Sequence, residues 1–256
     1  MDSVISEVIV PILKAKQIPS LAVVQQKATE LFDRQLQFAR QHPLHQPGLS
    51  PSKIGSDFAV LHCMEYGGQI PDTEIKKAKE EIGQALVNLF AMSEVWSELK
   101  TSIYIVSQPP LSFSHTDETV RAIPDLIAFY ANKPPLIIDW KVHFFGVYRA
   151  WMQLGIYALA LSQGKPHKGF PKFSQWEVTD FRLWEVQLLT NHIRHYELDE
   201  TRIAQIDNSI AESITAMQLL VGNAKKATLD PMECLTASSP EMCQFCNYQS
   251  ICWESM

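Results

Sequence analysis

One segment constrains this chain more than any other. The run Leu136-Ile137-Ile138 is apolar without interruption and closes on Asp139-Trp140-Lys141. Such a run reads as a central strand buried on both faces. An aspartate that closes it is costly to bury unless it is paired or holds a cation. Asp139 and Lys141 are two residues apart, so on a strand they point to the same face. Upstream, residues 119–130 (TVRAIPDLIAFY) read as the neighbouring strand, with Asn132-Lys133-Pro134 as the hairpin turn. Asp125, inside that strand, can converge on the same face.

Two carboxylates and an ammonium meeting at a strand end suit the hydrolysis of a phosphodiester. The carboxylates are hard oxygen ligands for Mg²⁺ or Mn²⁺. The cation polarises the phosphate and lowers the pKa of the attacking water. Lys141 can orient that water or stabilise the charge of the transition state. A salt bridge at a sheet edge would account for a lone Asp-x-Lys, but the upstream Pro124-Asp125 at hairpin distance favours a site. Gln153 and Tyr157 follow, one turn apart on an expected helix and so on one face. Alone they read as ordinary helix residues; beside the strand end, each offers a polar tip to a phosphate or base.

The rest of the chain supplies the frame. In residues 20–42, apolar Leu21, Val24, Ala28, Leu31, Phe32 and Leu36 recur at near-helical spacing. Three prolines and a glycine in residues 42–51 then mark a boundary. Ser50 and Pro51 open a helix expected to reach Cys63, and Asp72 or Thr73 opens a longer one through Trp96. Strands are expected in residues 102–108, 181–189 and 193–198, and helices in residues 147–163 and 200–220. This order implies an α/β fold, a mixed sheet flanked by helices.

Composition excludes some classes. Twenty-two Lys and Arg against 28 Asp and Glu give a net charge of −6, so a basic protein that coats nucleic acid is ruled out, though a local basic groove is not. No stretch approaches the roughly 20 apolar residues of a membrane span. The N-terminus carries Asp2 and Glu7 where a secretion signal carries positive charge. A cytoplasmic protein without a membrane partner is therefore expected. The five cysteines, with Cys243, Cys246 and Cys252 crowded near the C-terminus, suit a metal site better than a disulfide framework.

Pro124-Asp125, Asp139-Trp140-Lys141 and Gln153-x-x-x-Tyr157 together resemble the PD-(D/E)xK nuclease superfamily, and within it the RecB-type exonucleases. Cys243-x2-Cys246-x5-Cys252 with one distant upstream cysteine resembles the iron–sulfur branch, which includes CRISPR-adaptation exonucleases and AddB recombination nucleases. The resemblance spans residues 50–253. It implies a restriction-endonuclease-like core (49–225), an N-terminal helical extension (1–48) and a C-terminal cysteine clasp (226–256). It further implies a [4Fe–4S] cluster held by Cys63, Cys243, Cys246 and Cys252. Asp125, Asp139 and the backbone carbonyl of Trp140 would hold Mg²⁺ or Mn²⁺, with Lys141 catalytic and Gln153 and Tyr157 facing the substrate. That substrate would be DNA, single-stranded or with free ends, and the partners other nuclease or integration-complex proteins. A zinc knuckle with Cys234 as the fourth thiolate is the competing metal reading. One position departs from the family: where Gly-x-x-x-His brings a further metal ligand, Gly83 leads to Val87. A catalytically weak subunit that binds DNA or a partner is the alternative which that departure supports.

Overall fold

The apolar runs around the two aspartates form the centre of a five-stranded mixed sheet. The computed structural model of the protein describes residues 1–42, 48–65, 68–142, 150–164, 169–173 and 175–221. Its seven strands are β1 (Tyr104–Ser107), β2 (Leu111–His115), β3 (Glu118–Ala122), β4 (Leu126–Phe129), β5 (Leu136–Lys141), β6 (Arg182–Gln187) and β7 (His192–Tyr196). The sheet order is β1-β4-β5-β6-β7, and β2 pairs with β3 in a separate hairpin. As the sequence implies, β4 and β5 form an antiparallel hairpin around Asn132-Lys133-Pro134, with Leu126 opposite Ile138. β5 and β6 run parallel. A parallel pair needs a crossover, and helix α8 (Ala150–Gln163) lies in it.

Each sheet face has its own core. Residues alternate along a strand, so Leu126, Ala128, Ile138, Trp140, Trp184 and Val186 share one face. The N-terminal helices cover it: α1 (Asp2–Val4), a π turn (Ile5–Ile9), α2 (Val10–Lys14) and α3 (Leu21–Gln41), with α6 (Asp72–Ala91) and α7 (Ser93–Thr101). Ile127, Phe129, Ile137 and Leu183 share the other face with α8 and α9 (Glu200–Val221). Leu126, Ile127, Leu136, Ile137 and Ile138 are fully buried, each worth about 1.5–3 kcal/mol of transfer free energy.

Four details depart from the sequence expectation. Residues 119–130 are not one strand, because Pro124 has no N–H to give a ladder. β3 therefore ends at Ala122 in its own hairpin, and Asp125 stands just ahead of β4 rather than inside a strand. β2 has no counterpart in the sequence reading. The helix opened by Pro51 ends at Ile54, since Gly55 takes φ +75°, a conformation that favours glycine. A 3₁₀ turn (Gly55–Asp57) and the short α5 (His62–Glu65) replace its continuation; α4 is Pro51–Ile54. The long helix from Asp72 breaks at Met92, whose ψ of 82° leaves the helical region, and α7 starts anew.

No helix among the described residues is long and apolar enough to cross a membrane. Cys63 lies exposed in α5. Cys234, Cys243, Cys246 and Cys252 lie outside the described residues, as do the clasp they would form and residues 147–149 of the helix expected from 147.

Candidate active site

Asp125, just ahead of β4, and Asp139, on β5, lie one residue beyond the Leu126–Ile138 pair of the hairpin. The hairpin register thus sets the two carboxylates side by side. The backbone N–H of Trp140 donates to Asp125 Oδ2 at 2.9 Å, fixing that carboxylate against β5. Asp139 is 2% exposed, and its Oδ2 lies 2.6 Å from Lys141 Nζ. The shared strand face expected for this pair is the one observed.

Lys141 extends the arrangement to α8. Its ammonium donates to Gln153 Oε1 at 3.1 Å, and Gln153 Nε2 donates to the Tyr157 hydroxyl at 2.6 Å. Because residues 153 and 157 are four apart on a helix, both reach the sheet from one face. The result is a continuous polar chain from Asp139 through Lys141 and Gln153 to Tyr157, with Asp125 beside its first member. Trp140, whose carbonyl the resemblance implies as a ligand, is the residue whose N–H holds Asp125.

Burial governs the electrostatics. It pushes the Asp125 carboxyl up to about 7; the Trp140 hydrogen bond opposes this rise, and the neighbouring Asp139 charge adds to it. Asp139 is also raised, first by burial, against the favourable pull of Lys141. Burial lifts the Tyr157 phenol to about 12, so it keeps its proton at neutral pH. Asp125 binds its proton more tightly folded than unfolded. Its contribution to stability is therefore complete below the unfolded value of about 4 and is lost as pH rises through about 7. In EDTA, thermal melts should show stability falling by roughly 1–2 kcal/mol across this window, after allowance for solvent screening. Asp125→Asn should flatten the curve; an unchanged slope would assign it to other groups.

This donor set fits a hard divalent cation. Among the described residues, two adjacent, desolvated carboxylates face one ammonium, that of Lys141, and a cation would relieve their mutual repulsion. Magnesium-type ions bind through one or two carboxylates and fill their remaining positions with water and phosphate oxygens. Among the described residues, no group of three or more His, Cys, Asp or Glu side chains is placed to hold a metal. Helix α6 adds none: Val87 is 41% exposed, and Glu80 pairs with Lys76 at 3.8 Å on the outside of the helix. It meets the chain just after β6 through Asn88, which donates to the Leu188 carbonyl at 2.6 Å.

A second fully buried carboxylate has no counterpart in the sequence expectation. Glu185 of β6 is fully buried and lies opposite Asp139 in the parallel ladder. Its carboxylate accepts from Gln187 Nε2, from Arg194 at 3.3 Å and from the Tyr196 hydroxyl at 2.6 Å. The available signal was the Glu-x-Gln spacing inside the apolar run Leu183–Leu188, which puts both polar side chains on one face. His192 and His195 face opposite sides, as their spacing implies. His195 stacks on Trp184 at 4.7 Å between ring centroids, on the face away from Asp139.

The family model of the PD-(D/E)XK nuclease superfamily matches residues 56–253, a span that includes the hairpin, the crossover helix and the cysteine tail. The chain belongs to this superfamily. Membership implies a nuclease of the hydrolase class, and PD-(D/E)XK nucleases generally use Mg²⁺ or Mn²⁺. The five-stranded mixed sheet flanked by helices is the restriction-endonuclease-like architecture expected of such a member. No curated protein matches the chain. The crystal structure of SSO0001 is similar over 90% of this chain and 98% of that one, at 14% identity and a TM-score of 0.34, which is too low to carry an argument.

Proposed function

We propose that the protein is a metal-dependent DNA nuclease acting on single strands or free ends, of the RecB type with an iron–sulfur clasp. The observation that carries this reading is the chain from Asp139 through Lys141 and Gln153 to Tyr157, beside a second, half-buried carboxylate, Asp125. Asp125, Asp139 and the Trp140 carbonyl would hold Mg²⁺ or Mn²⁺, which supplies positive charge to the phosphate and acidity to the attacking water. Lys141, already hydrogen-bonded at two points, keeps an N–H for a phosphate oxygen or the nucleophile. Gln153 holds that ammonium in position, and Tyr157 keeps its proton for an oxygen of the substrate.

Cys63, Cys243, Cys246 and Cys252 would hold a [4Fe–4S] cluster that ties the two ends of the nuclease core, with a zinc site through Cys234 as the other metal reading. DNA processing in CRISPR adaptation or in recombination repair, alongside other nuclease or integration-complex proteins, suits such an enzyme. A specific observation favours a second reading, a catalytically weak subunit: Val87 stands where the family has histidine, and α6 adds no ligand among the described residues.

One incubation separates the two. End-labelled single- and double-stranded DNA is mixed with pure protein in Mn²⁺, Mg²⁺ or EDTA. The nuclease reading expects degradation with metal and none in EDTA. With one ligand lacking, Mn²⁺ should outperform Mg²⁺, since a ligand-poor site gains from the better-binding ion. DNA binding without degradation under any metal would establish the weak subunit instead.

A further inference from the structure

An open groove of about 480 Å³ runs between the β2–β3 hairpin and α8. Ile123, Met152 and Ile156 give it apolar walls, and the exposed Arg121 lines it together with Gln153 and Tyr157. The last two end the hydrogen-bonded chain that starts at Asp139 and Lys141. Only Pro124 separates Ile123 from Asp125. The groove therefore shares Gln153 and Tyr157 with the polar chain that reaches Asp139.

Its walls are preorganised. Leu111, Phe113 and Ala122 of the hairpin share a buried cluster with Leu154 and Ala158 of α8. At the far end of α8 the hairpin comes so close that a Cβ at Gly164 would lie 2.9 Å from the Ser112 carbonyl oxygen. Against this fixed frame Ile123 is 55% exposed, an apolar side chain left in water beside a polar site.

Apolar walls, an exposed cation and a phenol near the reacting phosphate match the chemistry of one unstacked nucleotide. The base lies against Ile123, Met152 and Ile156. Arg121 meets a neighbouring backbone phosphate. Tyr157 accepts from Gln153 and so has its own O–H to give to the substrate. A base still stacked and paired in a duplex cannot present its flat faces to these walls, whereas a single strand can. We propose that this groove is a nucleobase subsite that makes the enzyme select single-stranded DNA. The proposal rests on the reading of the protein as a nuclease and names how it chooses its substrate.

The test uses the full chain. In EDTA, fluorescence anisotropy measures binding of labelled oligothymidylate, of the matching duplex, and of an abasic oligomer with the same number of phosphates. Wild-type protein should prefer oligothymidylate to the abasic oligomer by about tenfold, as for loss of base stacking against a protein surface. Ile123→Asp should erase that preference. Arg121→Ala should lower the salt dependence of single-strand binding by about 0.7 in the log–log slope, as for one lost phosphate contact. Equal affinity of the wild-type protein for oligothymidylate and the abasic oligomer overturns the proposal without reliance on any variant, and so does a folded Ile123→Asp protein with its preference intact. Metal-dependent cleavage by a protein with no base preference would remove the subsite and leave the nuclease. A base preference in a protein that cleaves nothing with either metal would keep the subsite as a binding groove and remove the nuclease reading.

Discussion

Asp139→Ala and Lys141→Ala should each lower single-turnover cleavage by about 10²–10³-fold or more, the loss typical when a group that stabilises transition-state charge is removed. DNA binding should persist, because affinity for the backbone is spread over many phosphate contacts. The two variants should differ in stability. Removing Lys141 strands a carboxylate that is 2% exposed, and breaking one side of a buried pair costs about 3–5 kcal/mol at full burial, less here because Lys141 reaches solvent. Asp139→Ala leaves an ammonium that still donates to Gln153 and should melt closer to wild type. Cleavage at wild-type rates by both variants would remove this strand end as the catalytic centre.

The second large effect should come from Cys63→Ala. Under the iron–sulfur reading, protein purified without oxygen is brown, with broad absorbance from thiolate-to-iron charge transfer. A zinc protein is colourless, since its ion has a filled d shell. Cys63 would join the tail across nearly the whole nuclease core, and closure of so long a loop contributes strongly to folding. Its loss should therefore abolish the colour and lower the thermal midpoint, whereas Cys234→Ala should leave both intact. The opposite pattern, metal lost with Cys234 and retained without Cys63, would identify a local knuckle. Cys63 is exposed in a short helix, which leaves its sulfur accessible to a partner from elsewhere in the chain.

The hairpin and its polar chain were legible because their determinants are local. The apolar run Leu136–Ile138, the turn at Asn132-Lys133-Pro134 and the i, i+4 spacing of Gln153 and Tyr157 each act within a few residues. What escaped depended on distant partners or on single backbone positions. β2 carries alternating serines in Leu111–His115, and its short period-two pattern gains its place from pairing with β3 and packing against α8. The strand expected through residues 119–130 failed at Pro124, where the missing N–H outweighed a favourable pattern on either side. The helix from Pro51 failed at Gly55 for a similarly local reason. Glu185 makes sense only once β7 supplies Arg194 and Tyr196. The metal ligand absent at Val87 was legible as a mismatch, and the exposed position of that side chain on α6 agrees with it.

The two cores on opposite faces of the sheet have an evolutionary consequence. The N-terminal helices pack on one face, while Asp139, Lys141, Gln153 and Tyr157 occupy the other. Substitutions on well-separated sites generally combine additively. Helix packing in the first hundred residues can therefore drift, gain robustness or adapt to temperature largely apart from the reactive side, the exception being Asp2, whose charge acts on both Asp125 and Asp139. Stability accumulated on the rear face becomes a reserve against which new residues around the groove can be tried.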